Sequence, residues 1–424
     1  MATKETRQKA GELLGRIGVQ KQKKWAAFEN VNQKKFGSAY FEFMHAVGQR
    51  MNNVAADVYR AKHSSLHLSL AITSQYDSSY LHAFLTWLIG ELNEPPAKVL
   101  DVGCDNGVMS CACALTWPTA EVLGVDDNEH AILRARELAG KLGLTNVRFE
   151  LTDIRAGISS LGKFDVVLAN LVLHEAFRLK QEEVGRFEID PSPRWDLSEV
   201  RPRAEDKQLL AWLSDARSAL HGDRSLFISV NRLSSPDYLW WWHQMLQESG
   251  YRVSLSRSYM LEMTNVQEEE ESLPITVAKI GGAGFPKSSA QDALSFFAYP
   301  KLLEQPIKAE YDLAETLFKA FGAKSLLFRA ETVFSDGSGI GRIELWDCAT
   351  VACAYEMTDK GYRRLHVFPQ VGVFEQLARI LPEVERSRDS GKVSASLLFT
   401  DELRDLARRL DVEFELVEGE QQAA

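Results

Sequence analysis

Between residues 99 and 110 the chain reads Val-Leu-Asp-Val-Gly-Cys-Asp-Asn-Gly-Val-Met-Ser. Asp101 stands two residues before Gly103, Asp105 lies between the two glycines, and Gly107 opens a helical pattern. A glycine turn between an apolar strand and a helix lets the backbone approach a ligand without Cβ interference and directs N–H groups at it. Further along, single acids close short apolar runs: Asp126 ends Glu121–Asp126, and Asp153, followed by Ile154, comes just after 146–151. A carboxylate at a strand end can accept hydrogen bonds from both hydroxyls of a ribose. The run 164–170 ends on Asn170 and leads into Leu171-Val172-Leu173-His174-Glu175. His174 and Glu175 are the positional candidates for proton transfer, with the imidazole preferred because it titrates near neutrality. A histidine that merely caps the following helix explains the same residue equally well.

These residues need a scaffold that brings strand ends together. Their runs alternate with helical patterns, of which the best defined carries Ala131, Leu133, Ala135 and Leu138. That alternation predicts a doubly wound α/β fold with a mostly parallel sheet covered on both faces. A fifth strand over 225–231, a helix over 236–249, and an antiparallel closing pair, 251–260 with 273–280, bring the sheet to seven strands. Upstream, Leu81, Phe84, Leu85, Leu88, Ile89 and Leu92 recur at helical spacing behind Asp77 or Ser78 as cap. Glu91 and Pro95 keep this run too short for a membrane span. Tyr76 and His82 lie near it, where a surface turn and a half-buried histidine are the plainer readings.

The segment 99–231 resembles the Rossmann-like, class I methyltransferases that use S-adenosylmethionine, and the closing antiparallel pair extends the likeness over about 65–282. The resemblance implies that Asp101, Gly103, Asp105, Gly107, Asp126, Asp153, Ile154 and Asn170 are cofactor residues. In that family the turn encloses the methionine part, the acid after the second strand holds the ribose, and the acid after the third lies near the adenine. It also places Asn170 and His174 at the transferred group. The chain departs from the family at Asp105, where a second glycine is usual. Two readings of Asp105 stay open: it accepts a hydrogen bond from the cofactor's amino group, or it crowds the turn. A dehydrogenase fingerprint needs glycines at the first, third and sixth positions, and Gly103, Asp105 and Val108 match only the first.

The acceptor is less legible. The strand-four sequence Asn-Leu-Val-Leu lacks the Asn/Asp-Pro-Pro-aromatic motif of base-amine methyltransferases and looks more like the small-molecule members. A small-molecule acceptor is the leading expectation; RNA or protein recognised through the C-terminal half, or a non-catalytic binding protein on the same fold, are the alternatives. The connection from about 175 to 205, leaving the carboxyl end of a strand, reads as a lid or selecting flap.

At 424 residues the chain exceeds one ordinary domain. We expect a helical N-terminal extension over 1–64, the methyltransferase domain over 65–282, and an α+β domain over 283–424. The last follows a Gly/Ser/Pro-rich stretch and carries alternating strands over Ser325–Phe334, 340–346, 352–357 and 362–368. The first 36 residues are basic, with Trp25 and Phe28 among the lysines, but the chain as a whole carries a formal charge of −10. A solvated helix explains that arm better than nucleic-acid binding. Five cysteines without metal-ligand spacing and no apolar opening segment predict a reduced, cytoplasmic protein without a metal site.

Overall fold

The computed structural model describes residues 3–21, 25–52, 54, 56–92, 94–177, 204–232, 236–264, 270–280, 292–293, 296–297, 302, 307–321, 324–348 and 351–413. The expected flap lies almost wholly outside them, as do the stretches 265–269 and 281–290. The chain divides into two compact units, one of residues 1–180, 208–233 and 245–287, the other of 181–207, 234–244 and 288–424.

The first unit is built on an eight-stranded sheet. Its strands are β1 (Lys98–Val102), β2 (Glu121–Asp126), β3 (Val147–Leu151), β4 (Val166–Asn170), β5 (Leu226–Val230), β6 (Tyr251–Val253), β7 (Tyr259–Thr264) and β8 (Glu270–Ile280). The order is β3-β2-β1-β4-β5-β8-β6, with β7 also on β8. The first five strands are parallel. Their buried members are near-continuous apolar runs because helices cover both faces. One difference from expectation concerns the closing pair: 251–260 breaks into β6 and β7, which share one edge of β8, because Ser254–Ser258 forms a turn with Ser258 N–H on the Ser254 carbonyl.

Register fixes the site. Val102 pairs with Val125 on one side and Ala169 on the other, so Gly103, Asp126 and Asn170 follow at one level along the carboxyl edge. Between the strands run α6 (Val108–Thr116), α7 (Glu129–Leu142), the short α8 (Leu173–Ala176), α9 (Ala204–Ser218) and α10 (Pro236–Glu248).

Five helices precede the sheet: α1 (Lys4–Ile17), α2 (Trp25–Phe36), α3 (Ser38–Met51), α4 (Val58–Lys62) and α5 (Leu66–Glu91). They fall in the same compact unit as the sheet. Ala10, Leu14 and Ile17 of α1 join Leu81, Phe84 and Leu85 of α5 in the sheet's core, while Tyr40 and Phe43 of α3 bury against Leu68 and Ile72 of α5. Helix α5 starts eleven residues before Asp77, at Leu66, capped by Ser65, whose side chain accepts from Leu68 N–H. Asp77 and Ser78 therefore sit inside the helix, and neither caps it.

The second unit holds a six-stranded antiparallel sheet of order β14-β10-β11-β12-β13-β9. The strands are β9 (Ile307–Glu310), β10 (Ser325–Phe334), β11 (Ile340–Asp347), β12 (Ala352–Thr358), β13 (Arg363–Phe368) and β14 (Val393–Phe399), with helices α11 (Tyr311–Ala320), α12 (Gly372–Asp389) and α13 (Asp401–Arg409). Val373, Leu377 and Ile380 of α12 and Leu403 and Leu406 of α13 share a core with Phe328, Ala330 and Leu345. Among the described residues no helix is long and apolar enough to cross a membrane.

Candidate active site

A cavity of about 580 Å³ opens at the carboxyl edge of β1, β2 and β4. That size suits a small-molecule or cofactor site. Its floor is Asp101, Gly103–Asn106, Asp126–Asn128, Ile154, Arg155 and Asn170–Val172. Its roof comes from helices upstream of the sheet: Phe43, Val47 and Arg50 of α3, Val58, Tyr59 and Lys62 of α4, and Ile72, Tyr76, Asp77 and Tyr80 of α5.

The turn after β1 differs from its sequence-based account. Gly103 and Cys104 N–H both donate to the Val125 carbonyl, and Gly107 N–H to that of Cys104. The glycines serve the protein's approach to itself: a Cβ on Gly103 would stand 2.3 Å from Val172 Cγ2, and one on Gly107 2.8 Å from both Ala135 Cβ and the Phe149 ring. Both have positive φ, +70° and +76°. Gly103 lines the cavity, and Gly107 stands behind it as N-cap of α6.

Carboxylates make the polar floor. Asp126 Oδ2 accepts from Asp105 N–H and Oδ1 from Asn128 N–H, each at 2.9 Å. An ionised carboxylate has about four lone-pair sites, so this one retains capacity for two ligand hydroxyls. Asp101, 1% exposed, accepts from Ser110 Oγ at 2.6 Å. Burial pushes the Asp101 carboxyl up to about 7 and that of Asp126 up to about 6. A cation in the cavity would therefore relieve an electrostatic cost already present.

Asp105 has partners within the protein. It takes left-handed φ of +49°, and its carboxylate meets Lys62 Nζ at 2.6 Å and His63 Nε2 at 2.8 Å. The histidine contact has ion-pair distance without hydrogen-bond alignment. Burial raises this carboxyl, but the charges of Lys62 and His63 outweigh it and hold the group far below the usual carboxylate range.

Asn170 Oδ1 accepts from Tyr80 OH. Leu171, the next residue, has φ +54°, an uncommon conformation for a branched side chain. His174 lines the cavity with Nδ1 buried and unbonded, and burial lowers its affinity for protons. Glu175 also lines the cavity, where it accepts from Tyr59 OH and pairs with Arg50 Nη2 at 3.7 Å.

Asp153 is not brought to the site. Its carboxylate accepts Arg155 N–H at 3.0 Å and pairs with Arg155 Nε at 2.9 Å, capping a 3₁₀ turn, and only its neighbours Ile154 and Arg155 line the cavity. Trp212 Nε1 anchors that turn on the Ile154 carbonyl at 2.7 Å. Tyr76 lines the cavity, whereas His82 faces Gly11 of α1. Sequence reasoning missed Lys62, His63, Tyr80 and Asn106. The signal for the first two was Asp105 itself, since an aspartate at a tight glycine position needs a counter-charge. Among the described residues no group of His, Cys, Asp and Glu could hold a metal ion.

A doubly wound sheet whose second strand closes on an acid above a glycine turn defines a domain that holds a nucleoside-bearing ligand at its carboxyl edge. More narrowly, residues 93–185 match the family described as "Methyltransferase domain", and that segment belongs to it. The ribosomal protein L11 methyltransferase of Caldanaerobacter subterraneus subsp. tengcongensis is 32% identical over 137 residues, 29% of this chain and 43% of that protein. The ribosomal RNA large subunit methyltransferase G of Streptomyces avermitilis is 40% identical over 77 residues, 18% of this chain and 20% of that protein. The chain thus spans less than half the length of either. A solved magnesium protoporphyrin IX methyltransferase from Synechocystis, with bound SAM, aligns at 17% identity over 60% of this chain and 97% of that one, with a TM-score of 0.33.

The residues present fit S-adenosylmethionine. Asp126 has acceptor capacity for the ribose, buried acids favour a cation, and His174 Nδ1 is unbonded where strand four ends.

Proposed function

We propose that the chain transfers a methyl group from S-adenosylmethionine to an acceptor carried by RNA or a ribosomal protein. The observation that carries the transfer reading is that Asp126, the glycine turn, Asn170 and His174 line one cavity. The macromolecular acceptor draws on the two relatives, whose names specify a ribosomal protein and ribosomal RNA. A free small-molecule acceptor is the second reading, favoured by the apolar roof of Phe43, Val47, Val58 and Ile72.

When bound, the cofactor supplies an activated methyl group on a sulfonium. The chain's own part is alignment, exclusion of water and proton handling. Asp126 accepts the ribose hydroxyls. Tyr80 occupies Asn170 Oδ1, leaving Nδ2 to donate into the cavity. Burial disfavours the protonated imidazole of His174, which lines the cavity, so this ring is the candidate to accept a proton where the acceptor loses one.

Calorimetry with S-adenosylmethionine and S-adenosylhomocysteine tests the cofactor. Incubation of methyl-labelled cofactor with rRNA, ribosomal proteins and a metabolite extract tests the acceptor. Label recovered in the RNA or protein fraction supports the proposal; label in the metabolite fraction alone moves the assignment to the second reading.

A further inference from the structure

We infer that Lys62, at the end of α4, is a positioning residue of the cofactor site: its ammonium pins Asp105 and, through the Asp105 N–H, aims the Asp126 carboxylate into the cavity. The inference rests on the methyltransferase reading and goes beyond it, because α4 lies outside the segment 93–185 that matches the family.

Asp105 occupies a left-handed conformation that L residues rarely adopt and that persists only where the surroundings over-determine it. The surroundings here are two consecutive residues of α4 and its cap. Lys62 Nζ sits 2.6 Å from Oδ2, and the side chain of His63, fully buried, sits 2.8 Å from Oδ1. His63 is itself held, its Nδ1 2.9 Å from Ser69 Oγ on α5. The next turn residue is clamped from the same side, for Asn106 Nδ2 donates to Ser69 Oγ at 2.8 Å and Thr73 Oγ1 at 2.9 Å.

The consequence for the cofactor runs through one hydrogen bond. With Asp105 held, its N–H lies 2.9 Å from Asp126 Oδ2 and fixes the carboxylate that faces the ribose position. Removing the ammonium leaves Asp105 as a partly buried, poorly compensated charge, and the cheapest response is for the turn to relax. Asp126 then loses its orienting donor. Glycine at 105 reaches positive φ without strain and keeps the N–H, so it needs no lysine.

The test is affinity for S-adenosylhomocysteine and for adenosine, measured by calorimetry on full-length wild type, Lys62→Met, Lys62→Arg, Asp105→Gly and the double variant Lys62→Met/Asp105→Gly, each checked by circular dichroism and melting. Lys62→Met should weaken both ligands about 10- to 100-fold and by the same factor, because the damage lies at the ribose. Lys62→Arg should recover to within about threefold of wild type. The double variant should bind better than Lys62→Met alone, a rescue that a lysine touching the ligand directly would not show. Unchanged affinity in folded Lys62→Met, or no rescue in the double variant, overturns the inference. Should Lys62→Met fail to fold, the double variant, which buries no unpaired charge, decides on its own: affinity equal to Asp105→Gly supports the role, and weaker affinity refutes it. Absence of S-adenosylhomocysteine binding by wild type would remove the methyltransferase reading, and the inference with it.

Discussion

The floor and the roof of the cavity are held by different means. The floor is a strand-end surface in which neighbouring residues satisfy one another: Gly103 and Cys104 bond the adjacent strand, Asp126 takes the N–H of Asn128 two residues on, and Asp101 takes the hydroxyl of Ser110. The roof is fastened by long-range side-chain contacts, among them Lys62 to Asp105, Tyr80 to Asn170 and Tyr59 to Glu175. A doubly wound sheet thus provides a place for a ligand, while helices outside that sheet decide how the place is finished. The sheet edge is generic to the fold; the fastening comes from helices that precede the segment 93–185.

The sharpest way to break this contrast is at Gly103. A methyl there meets Val172 at 2.3 Å and a positive φ, so Gly103→Ala should cost about 3 kcal/mol of stability by overpacking and strain together. Denaturant melts of Gly103→Ala and of Gly103→Ala/Val172→Ala measure it. Partial recovery in the double variant is the expected outcome, and a silent single variant would mean that the turn is looser than described.

Next is pH. The folded protein keeps a proton on Asp101 up to about pH 7, whereas an unfolded aspartate releases it near pH 4. Between those values the folded state binds more protons, so stability is greatest at the acid end of the window and falls as pH rises through 7. Asp126, raised to about 6, acts in the same direction. The loss from pH 5 to 8 should be on the order of 2 kcal/mol from Asp101 and about half that from Asp126, so Asp101→Asn should remove the larger part of it and leave the rest. Melting curves across that range check it. A profile that is flat in wild type, or equally steep in the variant, contradicts the assignment.

Asp126→Ala should weaken S-adenosylmethionine binding by about 1.5–3 kcal/mol, since a charged acceptor is lost. Asp153→Ala should leave the affinity near wild type because that side chain caps a turn away from the cavity. Equal losses would return Asp153 to the site. The smallest effect belongs to the roof's outer fastening. Arg50→Ala removes a half-exposed ion pair to Glu175 and should change stability by less than about 1 kcal/mol. A larger effect on turnover than on melting would mark Glu175 as more than a tether.

The floor was legible in the sequence because its logic is local. Strand, glycine turn and closing acid fall within a few residues of each other, and the register then lines up Gly103, Asp126 and Asn170. The roof was not legible, because Lys62 and Asp105 are 43 residues apart and Tyr80 and Asn170 are 90. No periodicity encodes such pairs. Asp153 serves as a cap, as an acid after a strand can, and Asp77 misled because a capping residue type also occurs inside a helix. In the second unit Ser325–Phe334 was read with its limits intact from alternation, while β14 escaped because its Ser-Ala-Ser stretch carries little apolar signal.

The Tyr59–Glu175 contact spans 116 residues, which sets an order of events during synthesis. At roughly 5–20 residues per second the ribosome delivers Glu175 on the order of ten seconds after Tyr59. Over that interval the floor is only partly made, since β1 and β2 emerge before strand four. Tyr40 and Phe43 already have Leu68 and Ile72, fewer than thirty-five residues downstream, with which to form a small core of their own. The nascent chain can therefore shelter its aromatic residues early and dock them as a preformed cap once strand four has emerged.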